Sequence, residues 1–337
     1  MVRMRWRHPQ LSFAIDLVRD CSRLARRVQQ SSRAGSIEKD DRSPVTIADF
    51  SVQALAARRI SLYSPQVPLV AEESAALLQD PAAAPLLEQI AAHVREFEPE
   101  ADPARVLNWI DRGQGQASER FWVLDPVDGT KGFLRDAQYA VALALVEGGS
   151  VTLGVLGCPR LDLDLAEERG PETLGARGCL VAAARKEGTW AASLDDSDFR
   201  PLRVSTVADP SRARVLRSVE SGHTNLDQMD RLLAELGIHH PPAAVDSQAK
   251  YALLAAGCGD FLTRLVSAQK PDYREKIWDQ AAGTLAVEEA GGVVTDLDGR
   301  PLDFTAGRKL LRNRGIVASN GLLHPAVLAA LAKVEAR

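Results

Sequence analysis

The stretch F-W-V-L-D-P-V-D-G-T-K-G-F-L-R, Phe121 to Arg135, decides how the rest of the chain is read. Four apolar residues, Phe121 to Leu124, have the length and composition of a short buried strand, which the polar run from Asp125 ends. Asp125 and Asp128 flank Pro126, whose fixed φ stiffens the turn, so two like charges share one rigid bend. A hard divalent cation relieves that repulsion: ions such as Mg²⁺ take carboxylate and carbonyl oxygens, and the carbonyl of Val127 lies between the two acids. Gly129 and Thr130 follow with backbone N–H groups at a candidate helix start, an arrangement that receives a phosphate oxygen. Asp-Pro-x-Asp-Gly is equally ordinary turn chemistry, so this stretch alone leaves a structural turn and a metal site both open.

The surrounding chain has 337 residues, enough for a large core and for two domains or one large one. With 45% hydrophobic and 26% charged residues, it has the composition of a soluble globular protein. A net charge of -4 and the lack of a broad basic stripe argue against a nucleic-acid polymer as partner. Cys21, Cys158, Cys179 and Cys258 show no paired spacing, which suits neither a zinc site nor a disulfide framework and points to a reducing compartment. No signal-peptide core follows the basic residues Met1 to His8, and no stretch approaches a membrane span. A cytoplasmic protein without a membrane partner is the expectation.

Upstream of the central stretch, apolar residues from Leu11 to Val28 recur at helical spacing, and Ser31 to Ser43 reads as a polar loop. Thr46-Ile47-Ala48-Asp49 is a capping-box signature ahead of the apolar face of Phe50, Leu55 and Ile60, so Asp49 is open to a purely capping role. Val67 to Val70 runs into Glu72-Glu73 as the central strand runs into Asp125, which sets carboxylates along one sheet edge. Ser74 to about Phe97, broken by Pro81 and Pro85, reads as two surface helical pieces without chemistry.

Downstream, Tyr139 to Val146 and Val151 to Leu156 are strand-like and joined by Glu147-Gly148-Gly149-Ser150, a hairpin signal. Leu161 to Trp190 reads as further strands and turns. From Ala213 the pattern alternates: strand Arg214 to Val219, helices Leu226 to Leu236 and Gln248 to Ala256, strand Phe261 to Val266. This suggests βα units with a partly parallel sheet and a domain boundary near Ser205. Trp278 to Ala290 is a helix stopped by Gly291-Gly292, with Asp279 in its first turn, where the helix dipole alone favours an acid. Val293 to Leu297, a turn at Asp298-Gly299, the strand Gly315 to Ala318 and a helix begun by Pro325 complete the chain.

Pro44-Val45-Thr46-x-x-Asp49, Ala71-Glu72-Glu73-Ser74, Asp125-Pro126-Val127-Asp128-Gly129-Thr130, and Trp278-Asp279 with Glu289-Ala290-Gly291-Gly292 together resemble the lithium-sensitive, metal-dependent phosphatase superfamily of inositol monophosphatase and fructose-1,6-bisphosphatase. Within it the chain looks most like the 3'(2'),5'-bisphosphate nucleotidases. The further matching pieces are Ile110-Asp111-Arg112-Gly113, Lys131-Gly132-Phe133-Leu134-Arg135, Val219-Glu220-Ser221-x-His223, Asp246-Ser247-Gln248-Ala249-Lys250-Tyr251, Arg264-Leu265 and Glu275-Lys276-Ile277-Trp278-Asp279. One departure is Gln280, where these nucleotidases commonly carry His after the helix-opening Asp.

The resemblance implies a mixed α+β and α/β fold with αβαβα layering. It implies an N-terminal α+β domain over 1–205 and a C-terminal α/β domain over 206–337. It implies two or three Mg²⁺ ions held by Glu72, Asp125, the Val127 carbonyl, Asp128 and Asp279, with Asp49 and Thr130 deprotonating the attacking water. Substrate contacts carried over are Gly129, Thr130, Ser221, His223, Ser247, Lys250, Arg264 and Asp279, with Lys250 and Arg264 taking the second phosphate. The implied activity is hydrolysis of the 3'-phosphate of adenosine 3',5'-bisphosphate to AMP, with lithium sensitivity, a place in sulfur metabolism, and a monomer or weak homodimer. Two other readings stand beside it: an inositol phosphate or polyphosphate phosphatase, and a nucleotide-binding sensor without turnover. The sensor reading expects at least one of Asp49, Glu72, Asp125, Asp128, Thr130 or Asp279 to be replaced, and none is.

Overall fold

The structure is a computed structural model that describes residues 6–31, 36–38, 44–219, 226–266 and 270–335. Its centre is a seven-stranded sheet in the order Leu69–Ala71, Arg120–Asp128, Ala140–Glu147, Ser150–Cys158, Cys179–Ala184, Gly188–Ser193, Arg200–Leu202. The first two strands are parallel and the rest antiparallel. Alternation along Arg120–Asp128 divides its side chains between two cores. Trp122 and Leu124 pack with the helices Leu11–Gln30 and Ile47–Tyr63, while Phe121 and Val123 face the opposite way.

That second core holds the helices Ala249–Ala255 and Ala281–Glu289, and behind them one face of a five-stranded sheet. The sheet runs Ala243–Ala244, Val215–Arg217, Phe261–Arg264, Ile316–Ser319, Val293–Thr295, with two parallel pairs followed by two antiparallel ones. Val215, Phe261 and Val317 on its far face pack with the helices Leu226–Glu235 and His324–Glu335. The layers are therefore helices, sheet, helices, sheet, helices, as the family resemblance implies.

Several local expectations change. The central strand does not stop at Asp125. It continues to Asp128 across a register irregularity between those two acids, a bulge that accommodates Pro126, which has no N–H to give the ladder. Asp279 is not in a first helical turn: the helix starts at Ala281 with Gln280 as N-cap, so Asp279 precedes it. The segment Leu161 to Trp190 contains a helix, Leu163–Arg169, capped by Asp162. The expected hairpin is present, with Glu147 paired to Ser150 and Gly148 and Gly149 at φ 56° and 77°, the left-handed pair that a two-residue turn demands.

Candidate active site

Parallel pairing of Leu69–Ala71 with Arg120–Asp128 sets Ala71 opposite Leu124, so Glu72 follows the end of the first strand beside Asp125, at the bulge of the second. This is the carboxyl-terminal edge, where open sheets with parallel strands place their crevices. A cleft of about 170 Å³ opens there. One wall carries Glu72, Asp125, Val127, Asp128, Gly129 and Thr130. The other, from the second sheet and its helices, carries Ser218, Asp246, Ser247, Lys250, Arg264 and Asp279.

Asp125 is 2% exposed and its Oδ1 has no hydrogen-bond partner. Burial pushes its carboxyl well above the usual range, and the like charges of Glu72, Asp128, Asp279 and Asp49 push it further. Burial likewise raises Asp128, against the pull of Lys250, Arg264 and the Gln248 N–H, which donates to Asp128 Oδ2 at 2.6 Å. Asp279 is raised by burial, with Arg264 opposing and Asp128, Glu275 and Glu72 adding to it. Acids that raise one another in this way, with a buried oxygen lacking a donor, have the chemistry of a cation site.

Among the described residues, no three His, Cys, Asp or Glu side chains stand as a ready-made chelate. A second surface cleft, of about 160 Å³, lacks the chemistry of a cation site: its Asp162 and Asp164 are paired with Arg177 at 2.8 and 2.6 Å.

Asp49 serves the capping box and the cleft together. Its Oδ2 accepts from the Thr46 N–H at 2.7 Å and from the Thr46 hydroxyl, while Oδ1 faces the Thr130 hydroxyl at 3.4 Å. Thr130 Oγ1 is also 3.1 Å from the Val127 carbonyl. One hydroxyl proton has two acceptors in reach, so Thr130 can turn between them. Thr130 opens the short helix Thr130–Leu134 behind Gly129, whose φ of 84° needs glycine. A Cβ at Gly129 would also lie 2.9 Å from that of Ser247, itself at φ 64°. The two walls meet at this pair, and left-handed backbone at a non-glycine residue is the kind of strain that functional sites retain.

Lys250 is 4% exposed, with Nζ donating to the carbonyls of Val245 at 3.0 Å and Ser247 at 2.8 Å. Burial lowers its ammonium to about 8 in spite of Asp128. Arg264 lies 3.0 Å from Glu275 and 3.8 Å from Asp279, and it holds the Tyr273 hydroxyl. Gln280 closes this network: it accepts from the Tyr251 hydroxyl and donates to Glu275 at 2.9 Å. A neutral amide therefore does the bridging at the position of the departure, with no charge added beside Asp279.

Ser221 and His223 lie outside the described residues. All the other candidate residues except Asp49 line the cleft, and Asp49 reaches it through Thr130. The sequence reading left several neighbours without a role. Asp246 lines the cleft and holds Arg135 at 2.9 Å, Lys131 and Ser218 line it, and Gln248 bonds to both walls. Arg308 reaches from the second half to the carbonyls of Ala71 and Gly113 and covers the Trp278 ring at 4.7 Å. No local pattern marks Arg308, because its partners are distant in sequence and are backbone carbonyls.

The profile of the inositol monophosphatase family matches residues 6–336. Proteins named 3'(2'),5'-bisphosphate nucleotidase are similar along nearly the whole length. The one from Schizosaccharomyces pombe is 38% identical, over 96% of this chain and 95% of its own. The one from Oryza sativa is 39% identical, over 96% and 93%. Among solved structures, the Thermotoga maritima IMPase superposes with a TM-score of 0.66 at 21% identity, covering 96% of this chain and 97% of that one. The inositol monophosphatase from Anabaena gives 0.59 at 18%, covering 96% and 94%. With a full-length profile match, relatives above one-third identity and the layered architecture in agreement, the chain belongs to the inositol monophosphatase family.

Proposed function

We propose that this chain is a Mg²⁺-dependent phosphomonoesterase that removes the 3'-phosphate of adenosine 3',5'-bisphosphate, giving AMP and phosphate. The observation that carries the reading is one cleft with Glu72, Asp128 and the buried Asp125, whose Oδ1 has no hydrogen-bond partner, on one wall, and the buried Lys250 and partly buried Arg264 on the other. Glu72, Asp125, Asp128, Asp279 and the Val127 carbonyl hold the metal in this reading. Two or three Mg²⁺ ions held by these residues would supply Lewis-acid chemistry: neutralised phosphate charge, a more acidic water and a stabilised leaving oxygen.

The chain's own residues supply the proton path and the orientation. Thr130 takes a hydrogen bond from the attacking water as its own hydroxyl turns to Asp49 Oδ1, and the carboxylate receives the proton. Asp49 stays poised because its other oxygen is fixed by the capping box of Thr46. The water oxygen forms the new P–O bond, the bond to the 3' oxygen breaks in line, that oxygen takes a proton from solvent water, and Asp49 returns its proton to solvent. Arg264 offers planar bidentate contacts to the 5'-phosphate with Lys250 beside it, and Ser247, Ser221 and His223 complete the nucleotide contacts. The same reading includes functional halves at 1–205 and 206–337, lithium sensitivity, a cytoplasmic location and a monomer or weak homodimer.

Hydrolysis in H₂¹⁸O tests the chemistry. The expected result is AMP as the nucleoside product, label in the released phosphate and none in AMP, and no turnover with the divalent ion removed. Adenosine 3'-phosphate as the product, or label in the nucleoside, contradicts it.

A further inference from the structure

Gln248 is in neither the acid set nor the cation set, yet it bonds to both walls. Its backbone N–H donates to Asp128 Oδ2 at 2.6 Å. Its side-chain Nε2 donates to the Trp278 carbonyl at 2.9 Å, and its Oε1 accepts from the Gly283 N–H at 3.0 Å. The residue is 1% exposed, so water does not compete for these bonds. Trp278 directly precedes Asp279, and Gly283 lies in the opening turn of the helix Ala281–Glu289. The amide thus grips the backbone on both sides of Asp279, while the same residue's N–H grips Asp128.

The side-chain type follows from the partners. One target is a carbonyl and the other an N–H, so the bridge needs a donor and an acceptor on one group, which a primary amide has and a carboxylate, ammonium or thioether lacks. The approach is close because Gly283 has no side chain: a Cβ there would lie 2.5 Å from the Tyr251 ring. The cations of the same wall are anchored separately, Lys250 on the Val245 and Ser247 carbonyls and Arg264 on Glu275.

We propose that Gln248 is a positioning residue that fixes the spacing between Asp128 and Asp279, and through it the affinity of the cleft for divalent metal. The proposal rests on the assignment of those two acids as ligands. Loss of the amide leaves the Asp128 contact, which is backbone, and releases Asp279. Metal affinity falls while nucleotide affinity holds.

The test uses the full chain with Gln248→Met, close in volume but without the donor and acceptor. Mn²⁺ binding to the resting protein is titrated by electron paramagnetic resonance, alongside the Mg²⁺ concentration for half-activation, the nucleotide KM at saturating Mg²⁺, and Tm. Q248M should weaken Mn²⁺ binding and raise the Mg²⁺ requirement, each by roughly tenfold, as outer partners of metal ligands do. The nucleotide KM should stay within about threefold, the pattern of a change that spares substrate contacts. Should Q248M not fold, Gln248→Asn carries the test with the same expected shifts, since it keeps the amide but draws it back by a methylene. Unchanged metal affinity in a folded variant overturns the proposal, as does a rise in nucleotide KM alone. A wild type that hydrolyses no nucleotide defeats the functional reading instead, and the Mn²⁺ titration still reads the positioning claim.

Discussion

The two walls of the cleft are built by different means. On the first wall, Glu72, Asp125 and Asp128 are fixed by neighbouring strands, and Asp49 by the capping box it forms with Thr46. On the second, Lys250 is fixed by the nearby carbonyls of Val245 and Ser247, while Arg264 and the backbone around Asp279 are held by side chains: Glu275, itself bound by Gln280, and Gln248. Strand ends hold Glu72, Asp125 and Asp128, and side-chain bonds hold Arg264 and the segment around Asp279. Changes at the first wall's acids should therefore act on turnover, and changes at Lys250 or Arg264 on nucleotide binding.

The largest expected effect is at Asp125. Asp125→Asn should cost at least about 100-fold in phosphate release, more than the usual loss for a residue one step removed from a metal. Its Tm without divalent ion should be equal to wild type or higher, because a buried carboxyl with an unpartnered oxygen is replaced by a neutral isostere. A fully active D125N variant, or one that unfolds, breaks the distinction between the walls.

Thr130→Val should lower kcat by roughly 100-fold, within the range of general acid–base contributions, with KM little changed. Asp49→Ala should lose activity and also about 1 kcal/mol of stability, since it removes a capping-box partner as well. Equal stability losses in both variants would show that the Asp49 cap is not a separate contribution.

On the second wall, Arg264→Lys keeps the charge and loses the planar fork. Nucleotide KM should rise by about tenfold with kcat nearly constant. A fall in kcat at constant KM would move Arg264 to the first wall's work.

The smallest effect is in stability against pH. The Asp125 and Asp279 carboxyls are raised on folding, so the folded chain binds protons that the unfolded chain releases. That stability is complete below the ordinary value of 3.8 and is lost as pH rises through the raised folded values. Without divalent ion, Tm should fall as pH rises above 3.8, by roughly 2–4 °C more in wild type than in D125N. Parallel curves would mean that Asp125 carries no excess charge repulsion.

The same contrast explains what was legible in the sequence. The first wall is contiguous: Asp125 to Thr130 is one run, and the Thr46–Asp49 box is both a cap signature and a site acid, so local patterns reach both. The layering was implied by the family resemblance, and the apolar run Phe121 to Leu124 marked a buried strand without saying that Trp122 and Phe121 would divide two cores. Boundaries failed where tertiary context decided. Continuation of the central strand past Pro126 depends on its neighbour Ala140–Glu147, and the late helix start at Ala281 leaves the Trp278 carbonyl to the remote Gln248. Arg308 carries no signature, and Gln248, although inside the matching Asp246 to Tyr251 piece, has no role assigned by it, since nothing within a few residues of either announces its partner.

The measurement that bears most directly on the central claim is the ratio of kcat/KM for adenosine 3',5'-bisphosphate to those for inositol 1-phosphate and inositol 1,4-bisphosphate, each with and without Mg²⁺. Strong Mg²⁺-dependent preference for the nucleotide is the expected result. Preference for either inositol phosphate would keep the first wall's chemistry and contradict the substrate assigned to the second, and silence on all three would contradict both.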